Sequence, residues 1–196
     1  GLRVPAATRQ LVVVTAATWQ TTAGRLRRFE REGDGWRAVG APIPARLGAH
    51  GLGRGRGVAV PALSGPEKRE GDHRSPAGLF ALGAAFGRAL PFPPAELRWP
   101  WRAASSSDHF VDDPASPQYN RWVTLTPGQV PSWTRAEALA AYELGLIVEH
   151  NSPDPVPGAG SAIFLHPWAS PETTPAGCTA VERGELVTLL RWLDPT

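Results

Sequence analysis

Glycine and proline interrupt this sequence along its whole length, and each occurs 21 times in 196 residues. Both residues favour turns over the interiors of helices and strands, so the chain suits many short strands better than long helices. A chain of this length can bury a substantial core, and we see no linker or internal repeat that would divide it. We therefore expect one mainly β domain, with an N-terminal β-meander in residues 1–60 and the functional motifs in residues 61–196.

Segments rich in apolar and β-branched residues, bounded by turn residues, predict the strands. They are 10–18, 25–32, 36–39, 42–47, 146–150 and 161–166. The charged segment 25–32 is expected at an exposed edge, and Gly33-Asp34-Gly35 predicts the hairpin that follows it. Two other stretches are expected to lack strands: 48–57 predicts a mobile glycine-rich surface loop, and 86–107 predicts irregular surface structure.

Two segments predict helices. Thr134 and Glu137 have the spacing of a capping box, which predicts a helix over 136–144. Leucines recur at helical spacing in 186–193, which predicts an amphipathic C-terminal helix that stops before Pro195.

Charge and composition exclude several classes of protein. The formal net charge is +2, which argues against a nucleic-acid partner. No apolar run approaches the ~20 residues that a membrane-spanning helix needs. A single cysteine excludes an internal disulfide framework and most cysteine-based metal sites. The chain begins at Gly1 rather than Met, so we expect a processed N-terminus, with any export signal outside this chain.

The candidate chemistry lies near the C-terminus. His166 ends an apolar run, and the sole cysteine, Cys178, follows twelve residues later, directly after Gly177. A strand, a loop and a Gly-Cys turn in this order are one way to place a nucleophile beside its base. The imidazole takes the thiol proton, because the thiolate is the nucleophile, and free N–H groups at the turn can face an oxyanion. The pattern predicts attack on an amide or ester carbonyl and a thioester intermediate.

The same residues also fit roles without chemistry. A lone cysteine is commonly a small buried hydrophobe, and a histidine at a strand end is commonly a packed core residue. Zinc binding by Cys178, His150 and His166 is a weaker alternative, because a catalytic zinc site needs three well-placed ligands. We expect no metal and no other cofactor, and we keep His150 as a second candidate base.

The element that follows Cys178 has two possible forms. A helix that starts at Thr179 would place Cys178 at its N-terminus, where the helix dipole lowers the pKa of a thiol. Gly184 in an early helical turn costs about 1 kcal/mol, however. We therefore favour a short strand over 179–181 and a helix that starts near Arg183.

Several further residues are candidates for the walls of the site. The candidate substrate contacts are Asp72, His150, Ser161, Trp168 and Thr179. Asp72 and its ionisable neighbours His73 and Arg74 are either a solvated hairpin tip or a polar wall, and the spacing leaves both open.

Asp112 and Asp113 are adjacent, so their side chains would face opposite ways on a strand. This argues against a cooperating pair of carboxylates. We expect them to cap a turn before Pro114.

Four blocks of the sequence resemble the L,D-transpeptidases of the YkuD type. They are KREGDHRSPAGLF (68–80), VDDPASPQYN (111–120), GSAIFLH (160–166) and TPAGCTAV (174–181). They extend over roughly the last two thirds of the chain, and the last two blocks are the specific ones. The resemblance implies a mainly β fold, a sandwich of mixed sheets with a few peripheral helices.

The resemblance also implies a cysteine-dependent acyltransferase that acts on peptidoglycan stem peptides. Cys178 matches the family's nucleophile, His166 its histidine, and Gly177 the glycine whose backbone region forms the oxyanion hole. It further implies an extracytoplasmic protein, periplasmic or secreted, that faces the cell wall. We expect a monomer without a cofactor.

The chain also departs from the commoner family motif, which reads Ser/Thr-His-Gly-Cys with an arginine two residues later. Here Pro175 and Ala176 precede the glycine and Ala180 stands at the arginine position. With its shorter His-to-Cys spacing, the chain is similar to a short-motif branch. Two alternatives stay open: an L,D-carboxypeptidase that hydrolyses the same bond, and a non-catalytic cell-wall binding module.

Overall fold

A computed structural model of the protein describes residues 3–59, 64–88 and 96–196. Short strands make up most of its regular structure, as the glycine and proline content predicts. The strands are β1 (Gln10–Thr15), β2 (Ala23–Glu32), β3 (Gly35–Arg46), β4 (Leu52–Arg54), β5 (Ser75–Ala77), β6 (Leu82–Gly87), β7 (Trp101–Ala103), β8 (Asp108–Val111), β9 (Trp122–Thr124), β10 (Ala136–Ala138), β11 (Gly145–Val148), β12 (Phe164–Pro167) and β13 (Thr179–Val181). A 3-10 helix covers Leu139–Ala141, and the α-helix α1 covers Arg183–Trp192.

The strands form one large mixed sheet and two small ones. The large sheet has the order β1-β2-β3-β13-β12-β11-β6-β7, the second has the order β10-β8-β9, and β4 pairs with β5. Within the large sheet, β12–β13 and β6–β7 are parallel and the other neighbours are antiparallel. The mainly β class and the mixed sheets are confirmed.

The large sheet buries a different cluster on each face. Side chains alternate between the two faces of a strand, so Leu165 joins one cluster while Phe164 joins the other. The leucines of α1 cover the first face, and a capping hydrogen bond from the Glu185 N–H to the Glu182 carboxylate (3.0 Å) fixes the start of that helix. The second cluster, around Phe164, also contains Cys178.

The helix predicted over 136–144 is wrong. Ala136–Ala138 is strand β10, which pairs with β8, and only one 3-10 turn follows it. The Thr134 hydroxyl, expected to cap the helix, instead donates to the Asp113 carboxylate at 2.9 Å. Pairing with β8 supplies the backbone hydrogen bonds that the helix would have made, so tertiary structure overrides the local capping signal.

Several strand predictions also need correction. Segment 25–32 is not at an edge, because β2 lies between β1 and β3, and the predicted strands 36–39 and 42–47 are one strand, β3. Segment 48–57 contains β4, and its Gly53 packs so closely that a Cβ there would lie 3.1 Å from the Lys68 backbone. It is therefore a packed segment and not a mobile surface loop.

Segment 86–107 contains strand β7, although it was expected to be irregular, and 89–95 lie outside the described residues. The later start of the C-terminal helix is confirmed, because 179–181 form β13 and α1 begins at Arg183. Cys178 therefore does not sit at a helix N-terminus. In the described part of the chain, no helix has the length and apolar character needed to cross a bilayer.

Candidate functional site

Two neighbouring parallel strands bring His166 and Cys178 to one face of the large sheet. His166 lies on β12 opposite Ala180 on β13, and Cys178 immediately precedes β13. Because side chains alternate, Cys178 and Ala180 share the face that also carries Phe164 and His166. Neighbouring strands lie about 4.8 Å apart, so the two side chains occupy adjacent positions, offset along the strands by two residues.

Backbone groups of the preceding segment hold the Cys178 thiol. Its Sγ donates to the Ala162 carbonyl (3.4 Å) and accepts from the Phe164 N–H (3.3 Å). Burial raises the pKa of Cys178 to about 12, and the Phe164 N–H opposes that change only in part. With 9% of its surface exposed, Cys178 is a neutral thiol at neutral pH.

The position of His166 defines its tautomer. Its Nδ1 lies 2.8 Å from the Pro167 carbonyl oxygen, which can only accept, so Nδ1 carries the proton and Nε2 carries the lone pair. Burial lowers the pKa of His166, so the ring is neutral. In residues 3–59, 64–88 and 96–196, no hydrogen bond joins this ring to the thiol. The resting site is therefore a neutral pair and not an ion pair.

The turn at Gly177 packs tightly against the segment before β5. A Cβ on Gly177 would lie 3.3 Å from the Arg74 carbonyl oxygen and 3.8 Å from the Lys68 Nζ. The Lys68 side chain, 4% exposed, donates to Asp72 Oδ1 (2.6 Å) and to the Arg69 carbonyl (2.7 Å). A buried, paired ammonium group therefore lies directly behind the turn. Nothing in the sequence around Lys68 predicted that this residue would lie behind the cysteine turn.

Asp72 closes a turn and does not form a free polar wall. Besides Lys68, its carboxylate accepts from the backbone N–H groups of Arg69 (2.7 Å) and Arg74 (2.9 Å). These bonds organise the turn that Gly177 packs against. Asp72 thus supports the site from behind, and the structure does not place it as a substrate contact.

Ser161 is likewise tied inside the protein. Its hydroxyl donates to Glu70 Oε2 at 2.6 Å, and the Tyr119 hydroxyl donates to the same oxygen. The next residue, Ala162, has φ +52° and its N–H donates to the Asn120 side chain at 3.1 Å. A non-glycine residue in the left-handed region is strained, and here it presents its carbonyl to the thiol.

His150 does not fit the role of a second base. It is 2% exposed; its Nδ1 accepts from the Arg56 N–H (3.2 Å), and its Nε2 donates to the Ala159 carbonyl (2.9 Å). Burial lowers the pKa of His150 to about 4. Both ring nitrogens are already used in holding the loop, so the residue is placed neither for proton transfer nor for substrate contact.

Thr179 follows Cys178 in the sequence, and Trp168 follows His166 by two residues. Thr179 alternates with Cys178 and therefore faces the opposite side of the sheet, which separates it from the thiol. Trp168 follows β12, and its N–H donates to the Val181 carbonyl at 2.9 Å. This bond extends the β12–β13 pairing by one residue, and Trp168 is half-buried at the start of the loop that leads to Gly177.

The two adjacent aspartates have different roles. Asp113 accepts from the Ala115 N–H (3.0 Å) and the Thr134 N–H (2.7 Å), which confirms the expected turn-capping role for this residue. Asp112 has a buried Oδ1 without a hydrogen-bond partner among the described residues. Burial raises the pKa of Asp112, and the nearby Arg135 opposes that change.

Tyr142 and Glu137 were missed as site residues by the sequence analysis. The Tyr142 ring packs edge-on against the His166 ring, with centroids 5.8 Å apart, and its hydroxyl donates to Glu137 Oε2 at 3.1 Å. Both residues fall in the segment that was predicted as a helix; the pairing of β10 with β8 places Glu137, and the 3-10 turn after it places Tyr142.

Within the described ranges, no group of three or more His, Cys, Asp or Glu side chains is arranged to hold a metal ion. Comparisons with protein-family models, curated proteins and solved structures found no match to this chain. The resemblance to the L,D-transpeptidases therefore depends on the four sequence blocks, and the activity that it implies is a proposal.

Proposed function

We propose that this protein is a cysteine-dependent acyltransferase that acts on peptidoglycan stem peptides, an L,D-transpeptidase. The observation that carries the proposal is the placement of His166 and Cys178 on one face of two parallel neighbouring strands. Its support from the sequence is the pair of specific blocks around these residues. An extracytoplasmic location belongs to the same proposal.

The proposed reaction begins with attack of Cys178 Sγ on the carbonyl carbon at the L-centre of a diamino acid in a tetrapeptide stem. His166 Nε2 takes the thiol proton, because Nδ1–H is already committed to the Pro167 carbonyl. The terminal D-alanine leaves as an amine and takes the proton from the imidazolium, which leaves a thioester on Cys178. The amine of a second stem then attacks the thioester and transfers its proton to His166, and the imidazolium passes that proton to the departing sulfur, which restores the neutral thiol and imidazole.

Backbone N–H groups at the Gly177–Cys178 turn are suited to the oxyanion of the tetrahedral intermediate. No side chain or backbone acceptor among the described residues takes the Gly177 N–H. The carbonyl of Cys178, in contrast, is fixed by the Ser75 hydroxyl at 2.6 Å. The Ser75 bond thus fixes the peptide that follows Cys178, while the Gly177 N–H in the turn before it is free to meet developing charge.

The neutral resting pair makes the chemistry dependent on bound substrate. A thiol whose pKa is near 12 contributes very little thiolate at pH 7, so proton transfer to His166 must accompany attack. Substrate bound at the half-buried His166 would exclude water and place the carbonyl carbon next to the sulfur. We therefore expect slow reaction with simple alkylating agents and faster acylation by a bound substrate.

Intact-mass spectrometry with a carbapenem tests the nucleophile. We expect one covalent adduct on the wild type, none on Cys178→Ala, and an acylation rate for His166→Gln reduced by about 100-fold or more. His109→Gln is the matched control, since His109 lies on β8 and its Nδ1 contacts the Ser107 carbonyl. Adduct formation at the same rate in His166→Gln contradicts the assignment of the base.

Product analysis then separates transfer from hydrolysis. Incubated with a tetrapeptide stem, a transpeptidase yields a cross-linked dimer and free D-alanine, whereas an L,D-carboxypeptidase yields the trimmed tripeptide and free D-alanine without a dimer. Trimmed product without dimer, at any concentration of added acceptor amine, would replace the transferase with the hydrolase.

The buried, neutral thiol favours one other candidate, a non-catalytic module that binds the cell wall. This candidate predicts retention on purified peptidoglycan by both the wild type and Cys178→Ala, with no carbapenem adduct and no released D-alanine. Release of D-alanine that requires Cys178 excludes it.

A further inference from the structure

We propose that Tyr142, held by Glu137, is a positioning residue that orients the His166 imidazole beside Cys178. The inference rests on the proposed function, because it assigns Tyr142 and Glu137 a role at the proposed reacting groups, His166 and Cys178. It starts from a contact between the two sheets: His166 belongs to the large sheet, whereas Glu137 belongs to β10 in the sheet β10-β8-β9.

Aromatic contacts hold the Tyr142 ring on three sides. Its centroid lies 5.7 Å from that of Phe86, 5.4 Å from that of Phe164 and 5.8 Å from that of His166, and the rings meet edge to face. Edge-to-face contacts favour defined ring orientations. The Tyr142 N–H also donates to the Leu139 carbonyl at 3.1 Å, which fixes the backbone at the end of the 3-10 helix.

Glu137 restricts rotation of the Tyr142 side chain. The Tyr142 hydroxyl donates to Glu137 Oε2 at 3.1 Å, so rotation of the tyrosine away from His166 would break a half-buried hydrogen bond. Glu137 is itself held by pairing with Phe110 on β8. The rigid second sheet is thereby linked through one tyrosine to the face of the proposed base.

Four ionisable residues of the described chain lie around His166, and one of them, Glu137, changes the pKa of the ring in a defined direction. They are Cys178 before β13, Tyr142 after the 3-10 helix, Glu137 on β10 and, across Ala180, Arg46 on β3, whose Nε donates to the Pro171 carbonyl. The Glu137 carboxylate raises the pKa of His166 and also that of Cys178. Burial raises the pKa of Tyr142, so it stays a hydroxyl donor throughout.

These directions define the role of the pair. When the S–H bond of Cys178 breaks and an N–H bond forms at His166 Nε2, the ring becomes an imidazolium, and the Glu137 carboxylate stabilises that charge. Because Tyr142 does not ionise, it gives up no proton in the step. It keeps the ring orientation and partly neutralises the carboxylate through its hydrogen bond.

Titration of His166 by NMR in the full chain tests the charge effect without any substrate. Glu137→Gln removes the carboxylate and should lower the pKa of His166 by about half a unit. Tyr142→Phe keeps the ring but removes the hydroxyl that donates to the Glu137 carboxylate. Because that hydrogen bond partly neutralises the carboxylate, its loss should shift the pKa of His166 upward. Glu172→Gln, an exposed carboxylate in the loop after β12, is the control and should change nothing.

Acylation kinetics test the positioning effect. Tyr142→Leu removes the ring and should reduce the acylation rate constant by about tenfold or more with little change in the dissociation constant of the carbapenem. Tyr142→Phe should retain most of the rate, because the aromatic contacts remain. Thermal unfolding of each variant verifies that it is folded at the assay temperature.

The outcomes separate this inference from the proposed function. An unchanged His166 titration in Glu137→Gln and Tyr142→Phe, or an unchanged rate constant in a folded Tyr142→Leu, overturns the positioning role even when the wild type is acylated. If the wild type forms no adduct, the proposed function fails, and the titration still decides whether Glu137 and Tyr142 set the state of His166. Equal losses of rate in Tyr142→Phe and Tyr142→Leu would also contradict the ring's role.

Discussion

The Ser75 hydroxyl donates a 2.6 Å hydrogen bond to the carbonyl of Cys178 and accepts one of 2.8 Å from the Gly48 N–H. Ser75 is 1% exposed and belongs to β5, 103 residues away from the cysteine in the chain. One buried hydroxyl therefore connects the small β4–β5 sheet to the candidate nucleophile.

Removal of that hydroxyl should loosen the turn at the cysteine. Ser75→Ala leaves the Cys178 carbonyl and the Gly48 N–H without their partner inside the protein, which should cost about 1–3 kcal/mol of unfolding free energy. Urea unfolding measures the loss, and carbapenem acylation should slow at the same time. Ser106→Ala, at an exposed position, is the control and should stay within about 0.5 kcal/mol of the wild type. A stable Ser75→Ala with wild-type acylation would show that the connection is dispensable.

Stability should fall in mild acid because of His150. Its pKa drops from the ordinary 6.5 to about 4 on folding, so the unfolded chain binds the extra proton first as pH decreases. The stabilisation is full above pH 6.5 and is lost between pH 6.5 and 4, and it amounts to roughly 3 kcal/mol. Urea unfolding at a series of pH values measures the slope of the unfolding free energy against pH.

The variant His150→Gln separates this residue from the others. His166, whose pKa is also lowered by burial, contributes a slope of the same sign, so the slope should shrink in His150→Gln without vanishing. The same slope in the wild type and in His150→Gln would contradict the assignment.

Asp108 should be essential for the stability of the second sheet. The carboxylate is 5% exposed and accepts from Thr124 Oγ1 (2.6 Å), Trp122 Nε1 (2.8 Å) and the Ser105 N–H (2.8 Å). Burial by itself raises the pKa of Asp108, but these donors outweigh it and hold the pKa well below its ordinary range. Asp108→Ala leaves these part-buried hydrogen bonds without their acceptor and should cost about 2 kcal/mol in urea unfolding.

An exposed acidic residue offers the comparison for Asp108. Asp34 occupies the exposed turn between β2 and β3, and Asp34→Ala should change stability by less than about 0.5 kcal/mol. If Asp108→Ala and Asp34→Ala lost similar amounts of unfolding free energy, the hydrogen bonds of Asp108 would not explain its importance.

Backbone strain at Ala162 predicts an unusual response to glycine. At φ +52° an alanine is strained by roughly 1–2 kcal/mol, whereas glycine adopts this region freely. Ala162→Gly should therefore leave stability unchanged or raise it by up to about 1 kcal/mol, because relief of strain offsets the lost methyl group and the added freedom of the unfolded chain. Differential scanning calorimetry measures the change.

Ala85→Gly is the matched control for Ala162→Gly. Ala85 is fully buried in β6, whose extended backbone gives glycine no advantage, so the same substitution should destabilise the protein. Equal destabilisation at the two positions would mean that Ala162 is not strained.

Sequence patterns correctly predicted those elements whose form depends on residues that are close together in the chain. The apolar segments around Leu146 and Phe164 became β11 and β12, and Gly184 correctly favoured a helix that starts at Arg183. The helix predicted over 136–144 failed, because a capping signal says nothing about which strand lies next to a segment. Pairing with β8 decided that region, and the local sequence around Glu137 does not identify its partner strand.

By itself, the sequence determined that the chain is mainly β and that His166 and Cys178 flank one loop, because both follow from turn residues and short spacings. Only the tertiary structure decided that the two side chains share a sheet face and rest as a neutral pair. It also decided that Ser75, Lys68, Glu137 and Tyr142 surround them. Burial and hydrogen bonding between residues far apart in the chain set protonation and orientation, and these contacts exist only once the sheets have assembled.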